Sequence, residues 1–455
     1  MSGKSWLQFI CSTLHAICPA NCDIYLAVTA FKHAYEHIGG GRKGESNMRK
    51  NMKKIIAVLV LSMIMAACCS CGRNSSDSDT IKVGLLFSSS GSTAGVEQSM
   101  INAAILAFDE INEKGGINGK KIEYIQEDYA SDPSTATEKI KKLIQQDEVV
   151  ATIGCYTSAS RQATLATLKD ENSLLIYPTY TEGEEVHPNV IYVGAMPNQQ
   201  ATDYIPWLIE NEGKKAFLVG NDYVFPKTCN KQANILIKNC GGEVVGEEYA
   251  PLGSSDFAAI VTKIKEQKPD FIYCDLVGDS VVAFYKEYAQ QGLTPEECPI
   301  ASIATDEMSV KAMGAEYAKG HYTSMNYFET LDTEANKAFV EAYYNKFNDG
   351  STITCLAEAT YDSCYLLKAA LEKAGDEKDT DALIQAFAGL EIDAPQGKIK
   401  VHEENHCTYL FSRFAKCNED GKFEIVYESK EAIEPQPWPQ VVYPELNGKL
   451  PDKTY

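Results

Sequence analysis

Val149-Val150-Ala151-Thr152-Ile153, running into Gly154-Cys155-Tyr156-Thr157-Ser158 and then Ala159-Ser160-Arg161, is the stretch on which the fold turns. Residues 149–153 are uncharged and mostly β-branched, which reads as a strand covered on both faces. A glycine and a hydroxyl-bearing loop break the run, and residues 159–169 continue at helical period. Strand, short polar loop and helix make half of a βαβ unit, and the alternation extends in both directions.

Upstream, a strand over 81–87 is followed by a helix whose apolar residues Ile101, Ala104, Ile105, Phe108 and Ile111 fall on one face. Lys114-Gly115-Gly116 stops it, and a strand over 121–125 and a helix bearing Ile140, Leu143 and Ile144 follow. Downstream come strands over 174–177 and 190–193. A second series opens at Asn198, with strands expected over 216–219, 243–249, 271–276 and 300–304 and helices between them. Helices over 334–347, 355–373 and 380–388 return, and short strand-like runs at 398–401, 408–415 and 422–427 close the body before a Pro-rich tail. The pattern predicts an α/β protein built as two doubly wound parallel-sheet lobes.

The 455 residues carry 42 Lys and Arg against 63 Asp and Glu, a formal charge of −21. After residue 67 the balance is 34 against 60 with no basic stripe, which excludes nucleic acid as a partner. Basic side chains gather instead at Arg49-Lys50-Asn51-Met52-Lys53-Lys54, ahead of the apolar run 55–67. That run is short for a membrane span and fits a secretory signal. It ends in Met65-Ala66-Ala67-Cys68, which resembles the lipobox of bacterial lipoproteins and implies lipidation of Cys68. Residues 1–47 then read as an extension ahead of the true start, 48–67 as the signal peptide and 68–79 as a flexible tether. Of fifteen cysteines, nine lie beyond this region (155, 229, 240, 274, 298, 355, 364, 407 and 417), an odd number without disulfide spacing, and read as small buried hydrophobes.

In open α/β sheets ligands bind beyond the carboxyl ends of the strands. The residues there are Ser88-Ser89-Ser90, Tyr156-Thr157-Ser158, Tyr177-Pro178-Thr179, Asn221-Asp222-Tyr223, Gly278-Asp279-Ser280 and Thr305-Asp306-Glu307. Ser, Thr and Asp at such places also serve as helix N-caps. Taken together with interleaved tyrosines from both halves, they predict a cleft for a small polar solute, in which hydroxyls donate to a carbonyl or carboxylate and carboxylates accept from N–H groups.

These stretches, with Glu182-Gly183, Pro197-Asn198-Gln199-Gln200, Asp222-Tyr223-Val224-Phe225-Pro226 and Asp393-Ala394-Pro395-Gln396-Gly397, resemble the type I periplasmic binding proteins of ABC transporters. Within them the chain is most similar to the urea- and short-chain-amide-binding branch, over residues 81–437. The resemblance implies two hinged lobes with crossovers near 197, 327 and 397: 80–197 plus 328–397, and 198–327 plus 398–455. It implies Ser90, Tyr156, Ser158, Tyr177, Thr179, Tyr223, Thr305 and Glu307 as ligand-binding residues, with Asp306 as the alternative to Glu307 for accepting an amide N–H, an ABC permease as partner and a lipid-anchored extracytoplasmic location. A branched-chain-type amino-acid binder and an amide sensor are the alternatives, and no cofactor or metal is expected.

An enzyme reading meets His402-Glu403-Glu404-Asn405-His406, which satisfies the zinc-hydrolase pattern H-E-x-x-H. That chemistry needs a helix, and this stretch follows a strand-like run after a turn. No phosphate loop or serine elbow occurs, so the sequence predicts a binder rather than a catalyst.

Overall fold

A computed structural model describes residues 80–375 and 377–455, which fall within one compact unit, Ser78–Tyr455. The extension, the signal peptide, the Cys68 lipidation site and the tether lie outside the described residues. No described helix is long and apolar enough to cross a membrane.

The first series is β1 (Thr80–Leu86), α1 (Ala94–Glu113), β2 (Lys121–Glu127), α2 (Pro133–Gln145), β3 (Ala151–Gly154), α3 (Ser158–Asp170), β4 (Leu175–Tyr177) and β5 (Val190–Tyr192). Its five strands are parallel in the order β2-β1-β3-β4-β5. Val83, Leu85, Ile153 and Ile176 are fully enclosed between covering helices, as an uncharged strand requires.

The chain then crosses through α4 (Pro197–Gln200) into α5 (Tyr204–Asn211), β6 (Lys215–Asn221), α6 (Val224–Asn239), β7 (Glu243–Ala250), α7 (Ala258–Gln267) and β8 (Phe271–Asp275). α8 (Asp279–Gln290), β9 (Ile300–Ser302), α9 (Glu307–Met313), α10 (Ala315–Ala318) and β10 (Tyr322–Met325) complete this series. Its parallel strands run β10-β9-β8-β6-β7, the same winding as the first sheet: the opening strand of each series lies between its second and third.

Beyond β10 the chain returns with α11 (Glu334–Lys346), α12 (Cys355–Ala374) and α13 (Thr380–Phe387). α12 lies along α1, where Tyr361 and Tyr365 donate to Glu110 at 2.7 and 2.6 Å. β11 (Glu391–Ala394), β12 (Gly397–Val401) and β13 (Thr408–Tyr409) form a small antiparallel sheet, tied to the first by a bridge from Tyr192 to Cys407. Only then do β14 (Arg413–Cys417) and β15 (Phe423–Glu428) extend the second sheet, antiparallel, beside β10. The third passage therefore falls between Tyr409 and Arg413 rather than near 397: the turn after Ala394 closes a hairpin and does not change sheets.

The last residues do not hang free. Ile433 pairs with Leu410, Pro437 accepts from the Glu184 amide at 2.8 Å, and Asn239 Nδ2 of α6 donates to Val441 at 3.4 Å. The tail then doubles back, so that Thr454 accepts from the Val186 amide at 2.8 Å. Gly183 has φ +68° and faces the Pro437 carbonyl so closely that a Cβ there would lie 2.2 Å from its oxygen.

All nine cysteines of this unit are free; eight are buried and Cys240 is half-buried. His402 to His406 lie in a turn and not on a helix, and the His402 ring stacks on Tyr409. Among the described residues no group of three or more His, Cys, Asp or Glu could hold a metal ion.

Candidate functional site

The strand ends of the two sheets face one another. The Tyr180 ring, beyond β4, lies 5.4 Å from Phe225 at the start of α6, and Phe225 is 6.3 Å from Tyr223. Gln232 Nε2 of α6 donates to the Glu182 carbonyl at 2.8 Å, and Lys231 meets Glu184 at 3.0 Å. On the opposite lip the Asp279 amide points at the Ser92 carbonyl at 3.4 Å. The lobes are shut on each other.

On the first-sheet side Gly154 lets β3 approach β1: a Cβ there would sit 2.2 Å from the Leu86 oxygen. Cys155 follows at φ +62° and turns the chain so that Tyr156 faces the cleft region with 3% of its surface exposed. Burial pushes the Tyr156 phenol far up, and the Asp306 carboxylate from the opposite lobe adds to this. Tyr180 is raised in the same way by burial and by Tyr156. Tyr223 keeps part of its surface exposed, yet burial around its hydroxyl raises it well above the usual range, followed by Tyr156, Tyr177 and Glu182. Tyr156 and Tyr180 thus feel Asp306 across the cleft, and Tyr223 feels Tyr156, Tyr177 and Glu182, so the groups of the two sheets act on one another.

Beneath them lies a charged network. The Arg161 guanidinium, with no exposed surface, donates to Glu185 at 2.8 and 3.2 Å, to Glu182 at 3.2 Å and to Ser158 Oγ at 3.2 Å. It stacks over Tyr177 at 4.8 Å and Tyr192 at 5.8 Å. Burial alone would raise Glu185, but the Arg161 charge and its hydrogen bonds hold the carboxyl below its ordinary range. Ser158 donates to Glu182 at 2.5 Å, Tyr177 to the Tyr156 carbonyl at 2.9 Å, and Thr179 to the Cys155 carbonyl at 3.2 Å.

Glu97 supports the loops from below. It accepts from the Ser88 amide at 2.7 Å, Thr93 at 2.5 Å and Tyr129 at 3.0 Å, and the Tyr129 oxygen accepts from the Tyr156 amide at 3.0 Å. Burial raises its carboxyl to about 7 despite these donors.

The second-sheet side is less fully paired. Asp306 caps α9, accepting from the Ser309 amide and hydroxyl at 2.8 and 2.7 Å, and burial raises it nonetheless. Asp275 ends β8 in register with Gly220 of β6, which is itself in register with Tyr249 of β7. Asp275 is fully buried with neither carboxylate oxygen hydrogen-bonded, and the buried Gln232 Oε1 likewise has no donor. Burial pushes the Asp275 carboxyl well up.

Of the residues expected to meet a ligand, Tyr156, Ser158, Tyr177, Thr179 and Tyr223 are brought together. Ser90 is not: it is exposed and its hydroxyl donates to Asp128 at 2.8 Å, held by the turn at Ala130. Thr305 turns into the second lobe, 3.1 Å from the Tyr285 hydroxyl. Glu307 accepts from the Glu329 amide at 3.0 Å, in the turn that follows β10, and burial raises its carboxyl well up. Arg161, not among the residues expected to meet a ligand, reaches the cleft floor because it sits one helical turn beyond Ser158. Glu182, Tyr180 and Glu97 were not singled out as site residues; the spacing Ser158, Arg161 on one helix face was the available signal for an internal ion network. A surface cavity of about 640 Å³ lined by Thr330, Asp332, Asn418, Lys422, Glu424 and Glu428 shares none of these residues.

Residues 81–444 match the family model described as periplasmic binding protein domain. The chain is 24% identical to "Leu/Ile/Val-binding protein homolog 6" of Brucella suis biovar 1, across 82% of this chain and 95% of the relative. It is 28% identical to the Leu/Ile/Val-binding protein BraC3 of Rhizobium johnstonii across 72% and 89%. A solved ABC-transporter solute-binding protein of Rhodopseudomonas palustris BisB5, in complex with 3,4-dihydroxy benzoic acid, superposes with a TM-score of 0.72 at 25% identity, covering 78% of this chain and 98% of that one.

Proposed function

Because this chain belongs to the periplasmic binding protein family, with the type I fold, we propose that it captures urea or a short-chain amide between its lobes and delivers it to an ABC permease. The observation that carries the reading is the convergence of Tyr156, Tyr180 and Glu182 from the first sheet with Tyr223 and Asp306 from the second, around a floor whose one buried guanidinium is already neutralised. A planar neutral solute rich in N–H groups suits aromatic walls and carboxylate acceptors, and its burial without such acceptors costs about 1–3 kcal/mol per unmatched group. Closure of the lobes gives the permease a liganded shape to recognise. Cys68 anchors the chain by lipid on the outer side of the membrane, and the chain carries out no catalysis.

A second reading, an amino-acid binder of the branched-chain type, is favoured by the names of the curated relatives and by Asp306 as a partner for an amine. Calorimetric titration of the purified protein with urea, acetamide and leucine decides between them. Heat and thermal stabilisation are expected with urea or acetamide; a response to leucine alone overturns the amide reading.

A further inference from the structure

The hydroxyls of the first-lobe floor are usually expected to donate to a ligand, but the partners found here fix their direction. A carboxylate offers only lone pairs and a guanidinium only N–H groups. Ser158 lies 2.5 Å from Glu182 and 3.2 Å from Arg161 Nη1, so its proton goes to Glu182 and one lone pair is taken by Arg161. The Tyr177 and Thr179 hydroxyls face the carbonyls of Tyr156 and Cys155, which also only accept. All three hydroxyl protons are spent inside the protein.

The first-lobe floor therefore meets a solute with lone pairs and with the carboxylate of Glu182, which is 1% exposed, also accepts from Thr181 at 3.2 Å and is oriented by Arg161. Arg161 does not leave a positive face: Glu185 takes its remaining edge. Across the cleft Asp306 is another carboxylate, and Gln232, whose Nε2 holds the Glu182 carbonyl, keeps a buried Oε1 without a donor.

We propose that Glu182 is the specificity-determining residue of the cleft: by taking the Ser158 proton and placing a carboxylate beside it, it admits solutes that present N–H groups and turns away solutes that present a carboxylate. The inference rests on the amide reading of the cleft and goes beyond it, because it assigns the rejection of acids to one side chain. Like charges brought together out of water are strongly disfavoured, whereas an N–H group meets ready acceptors. Glu182→Gln keeps the shape, removes the charge and offers Ser158 an amide that can itself donate, which frees the serine proton for a ligand.

The test is calorimetric titration of wild type, Glu182→Gln and Ser158→Ala with acetamide, urea, benzoate and leucine, each variant checked for an unchanged unfolding profile in the absence of ligand. Wild type is expected to bind an amide and neither acid. Glu182→Gln is expected to lose about tenfold for the amide and to gain at least tenfold for benzoate, which presents a carboxylate and no N–H group. Ser158→Ala, which keeps the carboxylate, is expected to weaken amide binding and still refuse both acids. An amide-to-acid preference unchanged in Glu182→Gln, or acid binding by Ser158→Ala, overturns the assignment even if the amide reading stands. A wild type that ignores amides sinks the amide reading, while a Glu182→Gln that then gains benzoate still upholds the gate.

Discussion

The two faces of the cleft are finished to different degrees. On the first-sheet face the charged groups of the floor are paired with one another: Arg161 is shared among Glu182, Glu185 and Ser158, and Tyr192 closes the ring by donating to Glu185 at 2.8 Å. On the second-sheet side Asp275 and Gln232 keep buried atoms with no partner, and Asp306 is raised by burial with only a cap to steady it. A network complete in itself holds its shape without a solute; a face with unmet hydrogen-bonding capacity gains from whatever completes it. On the proposed reading the first lobe is the template, and the second is the part that responds.

The largest effect should come from breaking the finished face. Arg161→Met leaves Glu182 and Glu185 buried without their counter-charge and should cost about 3–5 kcal/mol of stability, read by urea denaturation. A loss under 1 kcal/mol would mean that the network is not what stabilises this lobe.

The unfinished face should behave oppositely. Asp275→Asn removes an unpaired carboxylate and should stabilise the protein at pH 7 by about 1–3 kcal/mol. Burial raises the folded-state pKa of Asp275, so its cost is absent below the ordinary carboxylate range, grows as pH rises from that range toward the raised folded value, and is constant beyond it. The advantage of the variant should therefore vanish in acid; a gain independent of pH would point to packing instead.

The smallest effect lies at the rim, where the two faces touch. Glu184→Gln weakens the partly exposed contact with Lys231 and should change affinity by only two- to fivefold, about 0.4–1 kcal/mol, through the balance of open and shut forms. Faster solute release by stopped flow is the expected sign, and slower release would reverse the role given to this contact.

Much of the architecture was legible because strand and helix periods are local properties. The apolar run at 149–153 and the stripe from Ile101 to Ile111 needed no tertiary knowledge, and their repetition gave both windings. The third crossing was misplaced because a turn at Pro395-Gln396-Gly397 looks the same whether it closes a hairpin or changes sheets; the pairing of β11 with β12 is a long-range fact. In the site, the loop tips that carry Tyr156 and Tyr223 were expected from their position after strands, and the structure sets the two side chains near one another. What stayed hidden was direction: nothing in the letters says that Ser158 points its proton at Glu182, that Glu307 turns to the Glu329 amide, or that Ser90 turns outward to Asp128. The same residues first read as helix caps were partly caps, since Thr157 and Asp306 each hold the start of a helix.

The chain's last segment has a practical consequence. Tyr455 rests against His187 and takes a hydrogen bond from Lys169 in one lobe, while Tyr443 lies under Lys231 of the other. The carboxyl terminus is wound over both jaws like a bandage. A reporter or purification handle fused there would load the very swing it was meant to observe, so labels belong on exposed helices such as α7, and shortening the C-terminus is an alteration of the machine and not a trimming of its edge.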